Sequence, residues 1–346
     1  MAMAIKILIG GSPCTYWSIA QKNNRETEAN GVGWELFKNY LIAREKFKPD
    51  YFLYENNKSA AQSIKDQISR ELGVDLMYIN SALVSAQNRQ RFYAFNWTVE
   101  QPEDRGILLK DILETGEDLT GNDKSFLYYI IPVRVGDLPN AKGEISGSQA
   151  TRIYSVKDKS VNLVANGGGQ GAKTGLYAVS VTQKSTDVHE VRDGFITIKN
   201  KRYPIKLADG FYTIRKLTPL ECERLQTLPD NYTKAVSNTQ RYKGLGNGWT
   251  AEVIIHILNG ILKDVPKDEE IIVLSLYDGI GTGRYCFDKM GFTNVRYHAY
   301  EIDKYAIQVA MDNYPDIIQH GDAFAVREDS WRPPQTQSDN TIICVK

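Results

Sequence analysis

Apolar residues fall along the chain into short continuous runs that alternate with stretches of helical spacing. A short apolar run bounded by glycine, proline or asparagine predicts a strand buried in an α/β sheet. Apolar residues spaced three and four apart predict an amphipathic helix. Strands are predicted at residues 4–9, 50–54, 77–83, 126–135, 176–181, 271–277 and 295–300. Helices are predicted at residues 34–47, 63–73, 218–228, 250–262 and 284–290.

The first predicted strand ends in a glycine turn that carries a cysteine. Gly10, Gly11 and Pro13 stop the strand and leave Cys14 at its carboxyl end. Open α/β sheets bind their ligands at such strand ends, and a thiol there can serve as a nucleophile. A lone cysteine is more often a small buried apolar residue, so the turn alone leaves both interpretations open.

A second glycine turn follows the strand at residues 271–277. It has the sequence DGIGTG at residues 278–283 and leads into a predicted helix. Strand, glycine turn and helix in this order are typical of the start of a Rossmann-like nucleotide-binding unit. The next predicted strand ends at Glu301, about 20 residues downstream, where an acidic side chain suits a ribose diol.

Charged residues near two further strands are candidates for chemistry. Glu55 follows the second strand and could face Cys14 across the same crevice, although alone it is an ordinary acidic loop residue. Arg89 and Arg91 point to one face if their segment is a strand. Two guanidinium groups on one face need anions or carbonyl oxygens as partners, and the aromatic residues that follow argue against a fully solvated edge.

The middle of the chain has a different composition. Residues 98–212 are rich in turn residues and short β-like runs, and residues 134–216 hold 14 Lys and Arg against 7 Asp and Glu. The whole chain of 346 residues is balanced, with 42 residues of each sign. A glycine-rich stretch at 166–171 lacks the GK[ST] sequence and the helix of a P-loop. The local positive charge and the glycines favour a region that approaches a DNA groove.

Cysteine spacing and hydropathy limit the classes of protein to which the chain can belong. The four cysteines, Cys14, Cys222, Cys286 and Cys344, show no CxxC spacing. The sequence therefore predicts neither a metal site nor a disulfide framework, in keeping with a reducing cytoplasm. No apolar run has the length of a membrane span or of a signal peptide. We expect a cytoplasmic protein without a metal and without membrane contact.

In combination, these motifs resemble those of the DNA cytosine-5 methyltransferases over most of the chain. Six segments carry the resemblance: the nucleophile motif at 13–14, the Glu-Asn motif at 55–56, the Gln-x-Arg-x-Arg motif at 87–91, the family's last two motifs at 215–222 and 242–250, and the cofactor glycine motif at 277–283. Each motif alone is weak evidence, whereas the combination at these spacings is specific.

The order of the motifs departs from that of the family, in which the cofactor motifs come first and the nucleophile follows. Here the nucleophile motif begins the chain and the cofactor motifs end it. The resemblance thus implies a circular permutation with new termini just before the nucleophile strand. Thr15 and Asn57 replace the Gln and Val that the family usually carries after its Pro-Cys and Glu-Asn pairs, and neither change removes a group that the reaction requires. Residues 332–346 match no motif.

The resemblance implies the fold, the domains and the cofactor. The implied fold is an α/β, Rossmann-like, S-adenosylmethionine-dependent methyltransferase domain with a smaller, mostly β target-recognition domain. Residues 1–97 and 243–346 form the catalytic domain, and residues 98–242 form the recognition domain. The implied S-adenosylmethionine ligands are Pro13, Asn247, Trp249, Tyr277, Asp278, Gly279, Gly281, Thr282, Gly283, Glu301, Ile302, Asp322 and Ala323.

The resemblance also implies a reaction with four catalytic residues. The Cys14 thiolate adds to carbon 6 of cytosine and makes carbon 5 nucleophilic toward the methyl group of the cofactor. Glu55 acts at ring nitrogen 3, Arg91 at the ring oxygen, and Arg89 holds Glu55 or a nearby phosphate in place. The target carbon is inaccessible inside a duplex, so the base must be flipped out. Residues 16–33, here called the lid segment, are expected to close over it.

The expected partner is double-stranded DNA, bound by a monomer. Arg152 has the fork geometry that pairs with a guanine edge, and Lys173 suits a phosphate, which positions DNA without specifying its sequence. The implied DNA contacts are Ser18, Gln149, Arg152, Asn166, Gly167, Gly168 and Lys173.

Three alternatives remain at this point. An RNA-directed enzyme with the same motifs would methylate tRNA, although the long middle region suits the reading of a duplex. A non-catalytic DNA-binding paralogue would not need the cysteine, the glutamate and both arginines together. An NAD-dependent oxidoreductase could use the glycine turn but would leave Cys14 and the arginine pair unexplained.

Overall fold

The structure, a computed structural model, describes residues 4–19, 25–114, 131–140, 142–147, 150–165, 175–182 and 187–328. The first part of the strand predicted at 126–135 lies outside these ranges. The strands are β1 Ile5–Gly10, β2 Tyr51–Asn57, β3 Met77–Asn80, β4 Gln90–Phe95, β5 Arg134–Asp137, β6 Arg152–Ser155, β7 Leu176–Val181, β8 Val188–Arg192, β9 Phe195–Ile198, β10 Lys201–Pro204, β11 Gly210–Arg215, β12 Ile271–Leu276, β13 Val295–Tyr300 and β14 Ile318–Gln319. The helices are α1 Val32–Phe47, α2 Gln62–Leu72, α3 Pro219–Leu225, α4 Asn238–Asn247, α5 Ala251–Leu262, α6 Thr282–Lys289 and α7 Lys304–Asn313. Among the described residues, no helix combines the length and the apolar composition that crossing a membrane requires.

The first sheet has the strand order β14-β13-β12-β1-β2-β4-β3. Its strands are parallel except β4, which runs antiparallel to both of its neighbours. Side chains alternate along the central strand β1: Leu8 packs with α1 and α2 on one face, while Ile7 and Ile9 pack with α5 and α6 on the other. Burial on both faces explains why these strands are continuous apolar runs in the sequence.

The second sheet has the strand order β10-β9-β8-β11-β7-β6-β5 and is antiparallel except for the pair β6 and β7. It rolls up so that its two edges approach each other. Lys206 N, just beyond β10, donates to Val135 O of β5 at 2.7 Å, and Gly136 lies against Ile205. The roll has its own small apolar core. The predicted fold class, an α/β domain with a smaller, mostly β domain, is confirmed.

Strands β2 and β3 depart from their predicted ends by three residues each. β2 continues to Asn57, so Glu55 lies inside a strand rather than after it, because β4 pairs alongside and places Tyr93 opposite Glu55. β3 ends early because the Asn80 side chain accepts a hydrogen bond from Ala82 N and caps a short 3₁₀ turn. The end of β2 is therefore set by pairing with a distant strand, and the end of β3 is set by a local cap.

Helix α4 is absent from the predicted elements. It contains Gly244 and Gly246, which lower helix propensity. Gly246 lets α4 pack closely against the backbone at Val164, since a Cβ on Gly246 would lie 2.2 Å from the backbone carbon of Val164. The predicted domain boundary at 242–243 falls inside α4. Both α3 and α4 belong to the apolar core of the first sheet. We therefore propose that the recognition domain ends with β11.

The lid segment is anchored at both of its described ends. Trp17 is fully buried and donates from Nε1 to the Glu26 carboxylate at 3.0 Å. Arg25 donates to the carbonyl of Ser59 at 2.6 Å. Residues 20–24 of the segment lie outside the described residues. The buried tryptophan ties the chain that follows Cys14 to the core beneath α1.

Candidate active site

The carboxyl ends of β1, β2, β12 and β13 open into a cleft of about 500 Å³, a size that suits a small cofactor or a nucleoside. The predicted site residues that line it are Pro13, Cys14, Glu55, Arg89, Arg91, Asn247, Trp249, Tyr277, Asp278, Gly279, Thr282, Glu301, Ile302, Asp322 and Ala323. Gly281 and Gly283 are not among its lining residues. Gly283 instead lets α6 approach the sheet, since a Cβ there would lie 2.2 Å from the Tyr297 hydroxyl.

Cys14 is the first residue of a short 3₁₀ turn, Cys14–Tyr16, at the end of the β1 turn. The residue is half-buried and lines the cleft. Cys222 and Cys286 are buried in the core, and burial raises the pKa of both thiols. Cys344 lies outside the described residues. Among the described cysteines, Cys14 is therefore the thiol that a molecule in the cleft can reach.

Glu55 is held from two sides at the floor of the cleft. Arg91 Nε lies 2.9 Å from Glu55 Oε1, and Trp249 Nε1 donates to Glu55 Oε2 at 3.0 Å. Gly11 makes room for this carboxylate, since a Cβ there would lie 3.0 Å from Glu55 Oε2 and 2.7 Å from the Glu55 carbonyl oxygen. The carboxylate is thus fixed in orientation by two donors from distant parts of the chain.

Arg89 binds carbonyl oxygens rather than the Glu55 carboxylate. Its Nη1 donates to Asn162 Oδ1 at 2.9 Å and its Nη2 donates to Gly248 O at 2.8 Å. Burial, and to a smaller extent the neighbouring Arg91, lower the pKa of Arg89 to about 9, against the raising effect of the nearby Glu55. Arg91, rather than Arg89, therefore holds the Glu55 carboxylate in this structure. Arg89 joins the chain after β6 to the loop before α5.

A buried network that the sequence did not reveal supports the cysteine turn. Asn56 Nδ2 donates to Ser12 O at 2.8 Å and to the Tyr54 hydroxyl at 3.1 Å. Ser12 Oγ lies 2.7 Å from the same hydroxyl. Asn56 was recognisable as part of the Glu-Asn motif, but Tyr54 and Ser12 carry no sequence signal that separates them from ordinary strand and turn residues.

The opposite end of the cleft is built from the second glycine turn. Tyr277 has a φ of 60° and Gly279 a φ of 65°. A left-handed tyrosine is strained, and it is held by a hydrogen bond from its hydroxyl to Leu36 O at 2.7 Å. Glu301 Oε2 accepts from Gly279 N at 2.8 Å. Asp322 accepts from the backbone of the short turn that follows β14.

Three residues that line the cleft each have a buried polar atom without a hydrogen-bond partner among the described residues. These atoms are Asp278 Oδ2, Thr282 Oγ1 and Gln240 Oε1. Burial, helped by the nearby Glu301, raises the pKa of Asp278 to about 6 despite hydrogen bonds from Tyr297 and Ser275 to Oδ1, which lower it. Unsatisfied buried polar atoms are rare, so these atoms indicate that the cleft takes a ligand with polar groups. Gln240 lies on α4 and was therefore missed.

The predicted DNA-contacting residues are only partly described. Arg152 begins β6, and its Nε is buried without a hydrogen-bond partner among the described residues. Ser18 Oγ accepts from Asn57 Nδ2 at 3.4 Å. The remaining predicted contacts lie outside the described residues: Gln149, Asn166, Gly167, Gly168 and Lys173. Within the described ranges, no group of three or more metal-ligating side chains could hold a metal ion.

Comparison with known proteins identifies the family. Residues 1–263 match the family model described as C-5 cytosine-specific DNA methylase. The type II methyltransferase M.HhaI of Haemophilus parahaemolyticus is 26% identical over 283 residues, which cover 75% of this chain and 75% of that protein. The orphan methyltransferase M.SPRI of Bacillus phage SPR is 24% identical over 369 aligned residues, covering 74% of this chain and 82% of that protein. A crystal structure of the S. pombe Dnmt2 methyltransferase covers 75% of this chain and 77% of its own, with 13% identity and a TM-score of 0.42.

The family match covers more than half of the chain, since it takes in 263 of 346 residues. It runs from β1 through the last residue of α5 and includes the cysteine turn, the Glu55–Arg91 pair and the loop that donates Trp249. The chain belongs to the family of C-5 cytosine-specific DNA methylases.

Proposed function

We propose that the protein transfers a methyl group from S-adenosylmethionine to carbon 5 of a cytosine flipped out of duplex DNA. The observation that carries this proposal is the shared cleft. Cys14, the Glu55–Arg91 pair and the glycine turn after β12 line the same cavity of about 500 Å³. A nucleophile, a fixed carboxyl group and a cofactor turn in one cleft suit covalent catalysis of methyl transfer.

Each polar group at the floor of the cleft has a distinct part in the proposed reaction. The Cys14 thiolate adds to carbon 6 of the cytosine ring, so that carbon 5 becomes nucleophilic and takes the methyl group. Loss of the carbon-5 proton to a base then restores the ring double bond and eliminates the Cys14 thiolate. Addition places electron density on the ring, and the Glu55 carboxyl group, acting at ring nitrogen 3, stabilises it. Arg91 and Trp249 fix that carboxyl group before the substrate arrives. Such preorganised groups stabilise a transition state without a reorganisation cost.

The residues at the glycine-turn end fit S-adenosylmethionine, which supplies an electrophilic methyl group on a positively charged sulfur. Asp278 Oδ2 is a buried acceptor that suits a cationic group. Ile302 and Phe324 are exposed apolar side chains on the cleft wall and suit an adenine face. We assign Glu301 to the ribose and Asp322 to the adenine amine, since both residues line this end of the cleft.

We also propose that the chain is circularly permuted relative to the usual family order. When the strands of the first sheet are counted from β12, β12–β14 become the first three and β1–β4 the last four. The observed spatial order is then 3-2-1-4-5-7-6. This is an open α/β sheet with its order reversal at the first strand, next to which cofactors bind. The family match ends at residue 263, before β12 begins, as expected if the cofactor motifs have moved to the other end.

The proposed DNA contacts centre on the recognition domain. Arg152 lies at the start of β6, and the fork geometry of its guanidinium suits a guanine edge. Transfer of tritium from labelled S-adenosylmethionine to duplex DNA, compared with transfer to tRNA, tests the substrate class. Incorporation into DNA cytosines supports the proposal. Incorporation into tRNA alone would instead support the RNA-directed alternative.

Changes at the glycine-turn end are expected to weaken cofactor binding. Glu301→Ala and Asp322→Ala each remove a charged hydrogen-bond acceptor, which lowers affinity by about tenfold or more, and Tyr277→Ala removes an aromatic wall. Calorimetry with S-adenosylhomocysteine measures the affinities. Asp316→Ala is the control, because Asp316 pairs with Arg284 on the surface. Unchanged affinity in the Glu301 and Asp322 variants would refute this assignment.

A further inference from the structure

The second sheet carries a concavity that is separate from the active-site cleft. It has a volume of about 250 Å³ and lies between the loop after β5 and the turn that joins β9 to β10. Lys142, Lys199, Lys201 and His189 are among its lining residues, and the described lining includes no carboxylate. We call this concavity the basic cleft. The three lysines outnumber the Glu144 carboxylate, which accepts from Asn140 Nδ2 at 3.2 Å at the edge of the cleft, so the site favours an anionic ligand.

The walls of the basic cleft are rigid. Lys199 and Asn200 have φ values of 47° and 61°, the backbone of a tight two-residue turn whose twist matches that of the flanking strands. Tyr203 on β10 is buried and donates from its hydroxyl to Gly143 O at 3.2 Å, which ties the two walls together. A Cβ on Gly143 would lie 3.4 Å from Lys201 Nζ, so this ammonium group lies directly over the loop. A backbone fixed in this way reduces the ordering cost of binding.

Strand register places the basic cleft at the same end of the sheet as Arg152. Asp137, the last residue of β5, pairs with Arg152, and Leu138 N in the cleft wall donates to Thr151 O at 2.8 Å. β7 begins at this end because it runs parallel to β6. The β9–β10 turn lies at this end too, since β8 begins here and β9 runs back toward its start. The cleft therefore borders the end of the domain proposed to read DNA bases.

We propose that the basic cleft binds phosphate groups of the DNA backbone beside the methylated site. This inference rests on the proposed function, because it takes duplex DNA as the ligand of the recognition domain. Duplex DNA presents closely spaced phosphates along each strand, and each phosphate that meets a lysine releases a counterion. Lysine contacts to phosphate position a duplex but carry no sequence information. The cleft thus contributes affinity, while Arg152 beside it contributes sequence preference.

The test is the salt dependence of DNA binding in a charge-removing variant. The cleft variant combines Lys199→Asn with Lys201→Gln. Asparagine at position 199 tolerates the left-handed backbone of the turn. The control is Lys263→Asn with Lys267→Gln, which removes the same charge from two exposed lysines of the catalytic domain. The cleft variant is expected to flatten the plot of log affinity against log salt by about 1 to 2 units, for every duplex tested. Arginine at both cleft positions is expected to restore the slope.

Further readouts separate this inference from the alternatives. The cleft variant is expected to methylate the same DNA sequence as the wild type at an unchanged maximal rate, whereas Arg152→Ala is expected to relax the preference at one base. A slope equal to that of the control, or a changed methylated sequence, would overturn the inference. So would binding of inorganic phosphate at the cleft, seen by NMR, with an unchanged DNA slope, because the site would then serve a free anion. Absence of methyl transfer by the wild type would count against the proposed function alone, since the slope is measured without catalysis.

Discussion

Replacing Cys14 by serine is expected to lower methyl transfer to DNA by roughly 10³-fold or more while leaving DNA binding largely intact. A thiol ionises with a pKa of about 8.5 when unperturbed, whereas a serine hydroxyl stays protonated and is a far weaker nucleophile. The side chains have similar size, and Cys14 is only half-buried, so the fold should tolerate the change. Tritium transfer measures turnover, and fluorescence anisotropy with labelled duplex measures binding.

The matched control is Cys222→Ala. Cys222 lies on α3 and is buried in the core, away from the cleft, so its removal is expected to cost some stability and to leave turnover near that of the wild type. Near-normal turnover of the Cys14→Ser protein would contradict covalent catalysis by this residue.

Replacing Glu55 by glutamine is expected to lower the maximal rate by roughly 10²- to 10⁴-fold, the usual contribution of an acid–base group. Glutamine keeps the size of the side chain and can still accept a hydrogen bond from Trp249. It cannot donate a carboxyl proton to the ring, and it loses the ion pair with Arg91. Single-turnover kinetics at saturating DNA and S-adenosylmethionine measure the effect on the chemical step.

Glu252→Gln is the control for this change. The Glu252 side chain is 12% exposed, the same fraction as that of Glu55, and it pairs with Arg105 and Lys289 rather than with any cleft residue. Its replacement is expected to leave the rate of the chemical step unchanged. A Glu55→Gln protein that reacts at the wild-type rate and differs only in DNA affinity would remove Glu55 from the reaction.

Much of the fold and of the site follows from local sequence. Strands β1 and β12 are buried on both faces, so each is a continuous apolar run that is easily recognised in the sequence. Each strand is followed by a turn whose glycines mark a tight backbone conformation in the sequence. The structure brings Cys14, Glu55 and both arginines to one cleft, where the motifs had placed them together.

The partners of each charged group could not be predicted in the same way, because they come from distant parts of the chain. Glu55 receives its second hydrogen bond from Trp249, 194 residues away, and Arg89 donates to Gly248, 159 residues away. Sequence places both arginines on one face but does not say which reaches the carboxylate. Helix α4 was missed because its glycines lower helix propensity and serve close contacts instead, Gly246 with the Val164 backbone and Gly244 with the Ile280 side chain.

Covalent trapping on DNA in which 5-fluorocytosine replaces cytosine tests the central claim most directly. Fluorine at carbon 5 blocks the final elimination, so the enzyme should remain bonded to its target after methyl transfer. The proposed function predicts a denaturant-resistant complex with S-adenosylmethionine present, with mass spectrometry locating the DNA adduct on Cys14. An adduct on Cys222 or Cys286, or no adduct while ordinary DNA is methylated, would contradict it.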